Sequence, residues 1–262
     1  MAIDPQLGDG FRSRLRDTYL APSRLALALR DRGPWLDVLL VSTVVALVSV
    51  ALMPDEVFTA SMQEPVSRRG DPVQITSSPE SVARWGRGMG VLATIATHPL
   101  LAFTLAGILT LLFTILGNGH TGFREYLSLA AHGMLIPALG TLIAVAVRLG
   151  TGATSGSLSV TAFFDPAEAQ NLFTATLFSI DPFIIWMMAA VAVGVHALEP
   201  RHSRAAAAAV LVGGYIVLVI ASTALLHPEL LDEVEAGAAA DAALVNAVEP
   251  LPERLLAANR SV

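Results

Sequence analysis

Five long apolar segments are the feature of this sequence that most limits its possible folds. A helix of about 20 residues crosses a hydrocarbon layer roughly 30 Å thick. Inside lipid, a continuous segment satisfies its backbone hydrogen bonds only as a helix. The segments are residues 35–53, 89–116, 125–149, 182–198 and 205–226. We therefore predict an all-α, polytopic membrane protein built as a bundle of five transmembrane helices.

The composition is too apolar for an ordinary water-soluble domain. Of 262 residues, 54% are hydrophobic and only 15% are charged, and the mean hydropathy is +0.63. The chain has no cysteine, which excludes disulfides, thiolate metal sites and cysteine nucleophiles.

The arginines near the segment ends indicate an orientation. They cluster before the first segment and recur near later segment ends, whereas loop 150–175 contains no basic residue. Since cytoplasmic loops are enriched in Lys and Arg, we predict a cytoplasmic N-terminus. Five crossings then place the C-terminus outside, in a multi-pass protein of the cell (inner) membrane. The later arginines on the predicted cytoplasmic side are Arg124, Arg201 and Arg204.

The charge distribution divides the chain into three parts. Residues 1–34 are a basic cytoplasmic or interfacial segment, residues 35–226 are the membrane domain, and residues 227–262 are an acidic tail expected outside. Phe11, Leu15 and Tyr19 follow one another at helical spacing. They predict either a helix in the membrane interface with its basic face towards anionic headgroups, or a solvated tail with local helix.

Three Pro-containing sequences mark helix starts. Ser78-Pro79-Glu80 is expected to begin the helix that leads into the second segment. Asp165-Pro166 and Asp181-Pro182 have the same pattern of a capping residue followed by proline. They predict a short helix near residues 166–178 that breaks before the fourth segment, although one long helix kinked at Pro182 is an alternative.

Polar residues inside the apolar segments are the candidate functional residues, because an ionisable group in a membrane is costly. His98 precedes Pro99 in the second segment, and His132 lies one helical turn after Ser128 in the third. Each histidine is either a neutral core residue bonded to a neighbouring helix or part of a proton, ligand or metal site. No intramembrane carboxylate pairs with either histidine in sequence, which counts against proton-coupled transport.

Other candidates lie at segment ends and helix contacts. Arg124 and Glu125 are expected to snorkel or to pair at the membrane surface. Asp181 is expected to cap a helix, and Trp186 to anchor at the interface or pack in the bundle. Small residues every four positions predict close helix packing or oligomerisation. They are Ala190 and Gly194 in segment four, and Ala205, Ala209 and Gly213 in segment five.

No nucleotide-binding loop, dinucleotide fingerprint, zinc-protease helix, serine-hydrolase elbow or metal-spaced cluster occurs in the sequence. We therefore expect a non-enzymatic protein without cofactor or metal. Nucleic-acid binding has no support.

Four stretches resemble the prokaryotic branch of the Yip-domain family. Ala21-Pro22-Ser23-Arg24 through Gly33-Pro34-Trp35 is similar to the family's entry into its first helix, and residues 119–126 to its short glycine-containing turn. His132-Gly133-Met134-Leu135-Ile136-Pro137 is similar to the family's Tyr-Gly-Tyr-x-x-x-Pro stretch, with His and Met replacing the tyrosines. Asp181 to Trp186, followed by Gly194, is similar to its fourth helix.

The resemblance implies five helices and a cytoplasmic N-terminus. Eukaryotic members act in vesicle traffic, contact small GTPases of the Rab type and carry an Asp-Leu-x-Gly-Pro signature. Here Asp31-Arg32-Gly33-Pro34 is one residue shorter. For prokaryotic members, the family implies a membrane protein without an assigned reaction.

Two hypotheses of different class follow. The first is a membrane scaffold or accessory protein that binds a protein partner or a second copy, or organises membrane lipids. The alternative is a small transporter or channel with a polar path along His98 and His132, opened by kinks at Pro99 and Pro137. An intramembrane enzyme would need a nucleophile or metal near His132.

Overall fold

The computed structural model describes residues 10–30, 33–59, 78–152 and 172–226. These residues are predominantly helical. The helices are α1 (Phe11–Leu20), α2 (Pro22–Leu29), α3 (Leu36–Leu52), α4 (Pro79–Leu109, continued by a π-helical segment, Thr110–Leu116), α5 (Phe123–Gly133), α6 (Leu135–Thr151), α7 (Leu172–Ser179), α8 (Pro182–Leu198) and α9 (Arg204–Leu226).

Several of these helices are long and apolar enough to cross a membrane. They are Pro79–Leu116, Phe123–Thr151 and Arg204–Leu226, and the bent pair α7 and α8 makes a fourth if it counts as one span. Helix α3 is apolar but has only 17 residues. An all-α protein with several potential membrane spans is therefore confirmed, and the fifth span stays a prediction.

Helix α5 lies at the centre of the bundle. Every residue from Tyr126 to Ile136 is buried, and α2, α3, α4 and α8 pack around it. Helices α5 and α6 follow one another directly and are separated by a single residue, Met134. Pro137 accounts for the interruption, because proline has no N–H to donate to the carbonyl four residues earlier, that of Gly133.

The helix start predicted at residues 78–80 is confirmed. Ser78 accepts a hydrogen bond from the Ser81 N–H, and Pro79 occupies the first turn. From there α4 runs without a break through Pro99 to Leu109 and continues into the π-helical segment. The second apolar segment is therefore about ten residues longer at its start than the apolar run alone.

The break predicted before the fourth segment is also confirmed. Helices α7 and α8 meet at an angle of 65°. The Asp181 carboxylate accepts from the Phe183 N–H at 2.7 Å and from the Ile184 N–H at 3.4 Å, so Asp181 caps α8 as expected. The Asp181 N–H donates to the Tyr215 hydroxyl oxygen at 3.0 Å. The alternative of one long kinked helix is wrong for the part described, while residues 153–171 and 227–262, with the Asp165 cap and the acidic tail, lie outside it.

The small residues predicted to pack closely do so in the fourth segment, whereas Ala205 and Ala209 of the fifth are exposed. A Cβ on Gly133 would lie 3.1 Å from Val191 Cγ2, and a Cβ on Gly194 would lie 2.9 Å from Leu129 Cδ2. Glycine thus lets α5 and α8 approach closely. A Cβ on Gly213 would meet no atom of the described residues within 4 Å.

The N-terminal segment is part of the folded bundle. Helix α1 confirms the helix predicted around Phe11–Tyr19, and α2 follows it directly. Leu25, Ala26 and Leu29 of α2 are almost wholly buried, and α2 packs against α8. The Tyr19 hydroxyl donates to the Leu135 carbonyl at 3.1 Å. A solvated tail is therefore excluded for these residues.

Contacts at the helix ends define the directions of the helices. Arg87 donates to the Met53 carbonyl at 2.9 Å, and Arg148 contacts Met53 Sδ at 3.3 Å. The end of α3 thus meets the start of α4 and the end of α6. Helix α3 runs parallel to α5–α6 and antiparallel to α4. We call this end the Arg148 end, and the opposite end, with residues 117–125 and 199–203, the Arg124 end.

Candidate functional site

The best-defined polar structure is a clasp between two short loops at the Arg124 end. The carboxylate of Glu199, a residue only 3% exposed, accepts three hydrogen bonds on Oε1. They come from the His120 N–H at 2.5 Å, the Thr121 N–H at 2.6 Å and the Thr121 hydroxyl at 2.7 Å. Loop 117–122 is thereby bound to the loop that follows α8. We call this arrangement the Glu199 clasp.

Arg201 closes the clasp from the other side. Its Nε lies 3.4 Å from Glu199 Oε2, and its Nη1 donates to the Asn118 carbonyl. Asn118 has a positive φ of 52°, and the Gly119 N–H bonds back to the Phe113 and Thr114 carbonyls, each at 3.0 Å. The turn is therefore held both by its own backbone and by the second loop.

Glycine is required in this turn because space is short. A Cβ on Gly117 would lie 2.7 Å from the Phe113 carbonyl oxygen, and one on Gly119 would overlap the same atom. The glycine-rich sequence that links the second and third segments thus has a steric reason.

The electrostatics of the clasp favour an ionised Glu199. Burial alone would raise the pKa of its carboxyl group. The Thr121 hydroxyl, the N–H groups of His120 and Thr121 and the charge of Arg201 outweigh that effect, so the pKa lies below its ordinary value of 4.5. The clasp therefore holds a buried carboxylate rather than a carboxylic acid.

A cavity of about 460 Å³ opens beside the clasp. Its wall carries both signs of charge, with Arg30 from the end of α2 and Glu125 from the start of α5. A polar, mixed-charge cavity of this kind suits a charged peptide or side chain better than an apolar ligand. Its lining includes Arg30, His120, Thr121, Glu125, Glu199 and Arg201.

A second polar cluster lies deeper, around His132. Its Nδ1 is 2.7 Å from the Ser128 carbonyl. A carbonyl only accepts, so Nδ1 carries the proton and Nε2 is left as an acceptor. His132 is 0% exposed, and Nε2 has no hydrogen-bond partner among the described residues.

An ion pair joins α1 to the start of α3. Arg14 Nη2 lies 2.5 Å from Asp37 Oδ2. Asp37 belongs to the first apolar segment, but in the described part of the chain its carboxylate pairs with Arg14 and with neither histidine. The spacing of residues along the chain did not show that α1 brings an arginine to this place.

His98 has the structural arrangement expected of a core histidine. The Ser42 hydroxyl donates to the Leu39 carbonyl at 3.0 Å, so it accepts from His98 Nε2 at 3.1 Å. Asp37 and Ser42 are five residues apart on α3, roughly 7.5 Å along its axis. His98 thus bonds to α3, whereas His132 bonds to a carbonyl of its own helix, α5.

The other predicted site residues are dispersed. Arg124 is exposed and Glu125 is partly buried at the cavity, whereas Gly133 and Pro137 shape the contact and the break in the central helix. Trp186 packs edge-on against Tyr19, with ring centroids 5.8 Å apart, and remains 40% exposed. Within the described ranges, no group of three or more His, Asp or Glu side chains could hold a metal ion.

Sequence reasoning missed Glu199 as a site residue, although a signal was present. A carboxylate at the C-terminal end of a helix is opposed by the helix dipole. Its position directly after α8 therefore indicates a compensating partner. Its donors lie 78 and 79 residues away in the chain, beyond any local pattern.

Comparison of the chain with protein-family models, curated proteins and solved structures finds no match in any of the three. The resemblance to the Yip-domain family stays a prediction.

Proposed function

We propose that this protein is a non-enzymatic membrane scaffold or accessory protein that binds a protein partner at its Arg124 end. The observation that carries the proposal is the Glu199 clasp. A buried carboxylate with three hydrogen bonds and an ion pair holds two loops in one arrangement, so a partner would meet a preorganised surface. The cavity beside it offers both cationic and anionic groups.

The proposal includes five membrane spans, with the Arg124 end in the cytoplasm. Helix α3 is 17 residues long, or about 25 Å, which is close to the hydrocarbon thickness of roughly 30 Å. Its direction, parallel to α5–α6, supports its inclusion as the first span. The arginines of both loops favour the cytoplasmic side.

Site-specific photo-crosslinking in cells tests the partner site. A photoreactive amino acid at His120 or Pro200, both exposed, is expected to yield one discrete protein adduct. The matched control is Trp85 at the Arg148 end, 72% exposed. The proposal also expects the adduct to decrease in Glu199→Ala, provided that this variant is still folded. Adducts of lipid alone, or the same protein adducts from Trp85, would contradict it.

A transporter or channel is the second candidate. It is favoured by the buried Nε2 of His132, which has no hydrogen-bond partner among the described residues. A buried acceptor of this kind can bind a proton or a water molecule. Proteoliposomes that carry His98→Leu and His132→Leu together test this function. Proton or solute flux equal to that of the wild-type protein would remove the candidate.

A further inference from the structure

A groove between the start of α3 and the start of α5 combines one cation with an apolar floor. Its volume is about 510 Å³, and it is open on one side. Leu36 and Leu40 are 54% and 57% exposed. They lie one turn apart on the same face of α3. The groove is lined by Gly33, Pro34, Trp35, Leu36, Asp37, Leu40 and Arg124.

The cation of the groove is held in place. A Cβ on Gly33 would lie 3.2 Å from Arg124 Cγ and 3.2 Å from Ser128 Oγ. The turn at Gly33, which has a positive φ of 46°, therefore packs directly on the aliphatic stem of Arg124. Arg124 has no ion-pair partner within the described part of the chain, is exposed and lines the groove.

The carboxylate of Asp37, which also lines the groove, does not cancel this charge. Asp37 Oδ2 pairs with Arg14 at 2.5 Å, and Asp37 Oδ1 accepts from the Val38 N–H at 2.9 Å. Both oxygens are engaged by other groups. Arg124 therefore supplies the net positive charge of the groove.

Aromatic rings cluster beside the groove. Trp35 packs edge-on against Phe103 at 5.6 Å, and Phe103 lies 6.3 Å from Phe123. Phe103 and Phe123 are 40% and 42% exposed. Trp is enriched at the level of the headgroups, and α3 leads from there into the apolar layer. Arg124 is thus at the end of the groove where a phosphate would lie, and Leu36 and Leu40 are where an acyl chain would lie.

We propose that this groove binds an anionic phospholipid, with its phosphate on Arg124 and an acyl chain along Leu36 and Leu40. A guanidinium group binds phosphate through a charge-assisted hydrogen bond, and a basic groove between membrane helices is a typical lipid-headgroup site. The proposal concerns a lipid and does not depend on the protein partner proposed for the Glu199 clasp.

Native mass spectrometry of the full-length protein in detergent tests this site. The probes are phosphatidylglycerol and phosphatidylcholine with identical acyl chains. Arg124→Gln is expected to weaken phosphatidylglycerol binding about five-fold, since one basic residue near an anionic surface contributes about 1 kcal/mol. Arg12→Gln, which removes the same charge from an exposed position on α1, is the matched control and is expected to change binding little.

Two further variants test the two halves of the site. Arg124→Lys keeps the charge and should retain most of the binding. Leu40→Ser should weaken phosphatidylglycerol and phosphatidylcholine alike, because it alters the acyl-chain contact only. Equal losses in Arg124→Gln and Arg12→Gln would overturn the proposal. Equal affinity of the wild-type protein for both lipids would do the same, and so would displacement of phosphatidylglycerol by inorganic phosphate.

Discussion

Replacement of Glu199 by alanine is the perturbation whose effect the structure defines best. Glu199→Ala removes an acceptor of three short hydrogen bonds and the partner of Arg201. Hydrogen bonds to a charged group contribute about 1.5–3 kcal/mol each. His120 is exposed and Thr121 partly so, and water will replace part of what is lost. We therefore expect the free energy of unfolding to fall by about 2–4 kcal/mol rather than by the full sum.

Denaturant unfolding of the purified protein in detergent, followed by circular dichroism, measures this change. Glu199→Gln keeps one acceptor oxygen but no charge, so it should cost about half as much. Glu125→Ala is the control, because it makes the same chemical change at the same cavity. Glu125 has no hydrogen bond or ion pair among the described residues, so the free energy of unfolding of this variant should stay within about 0.5 kcal/mol of the wild-type value. If Glu199→Ala also stays within about 0.5 kcal/mol, the clasp does not hold the two loops.

Four other outcomes follow from the same structure. Because the folded-state pKa of Glu199 is depressed, the ionised carboxylate should stabilise the folded protein fully above about pH 4.5 and progressively less as the pH falls through the folded-state pKa. Unfolding titrations of Glu199→Gln should therefore show a weaker dependence of stability on acid pH. Gly194→Val should lower the free energy of unfolding by about 1–3 kcal/mol, because the larger side chain overpacks against Leu129. Gly213→Val should change thermal stability little, because no atom of the described residues lies near the Gly213 Cβ position. Asp37→Ala leaves the mostly buried Arg14 without its ion-pair partner and should lower the free energy of unfolding by about 1–3 kcal/mol. This loss is smaller than for a fully buried pair, because the Asp37 side chain is 43% exposed. Adding Arg14→Leu should restore part of the thermal stability. Reporter fusions at the two termini should report opposite sides of the membrane, and the five-span arrangement fails if both report the same side.

The local features of the fold were predictable because their causes lie within a few residues. Ser78 and Asp181 cap the helices they precede, and the bend between α7 and α8 follows from the second cap. The fourth apolar segment, residues 182–198, has the same bounds as α8. Capping and continuous apolar sequence act locally, so they remain readable without a partner.

The packing of the N-terminal segment was harder to predict from the sequence. Phe11, Leu15 and Tyr19 indicated a helix, but its position against α6 and α8 depends on distant contacts. Tyr19 bonds to Leu135, 116 residues away, and packs against Trp186. The short helix α2 passed unnoticed because its eight residues are too few for a periodic pattern to stand out.

The sequence by itself determined that this chain is helical, that several helices are apolar enough for a membrane, and where many of them begin. Only the tertiary structure decided which helices are neighbours, and with that the Glu199 clasp, the Arg14–Asp37 pair between α1 and α3 and the groove at Arg124. The physical reason is that lipid is as apolar as the interior of a bundle. Residues on the lipid-facing and core-facing sides of a spanning helix are therefore alike, so the pattern that reveals the buried face of a soluble helix is absent here.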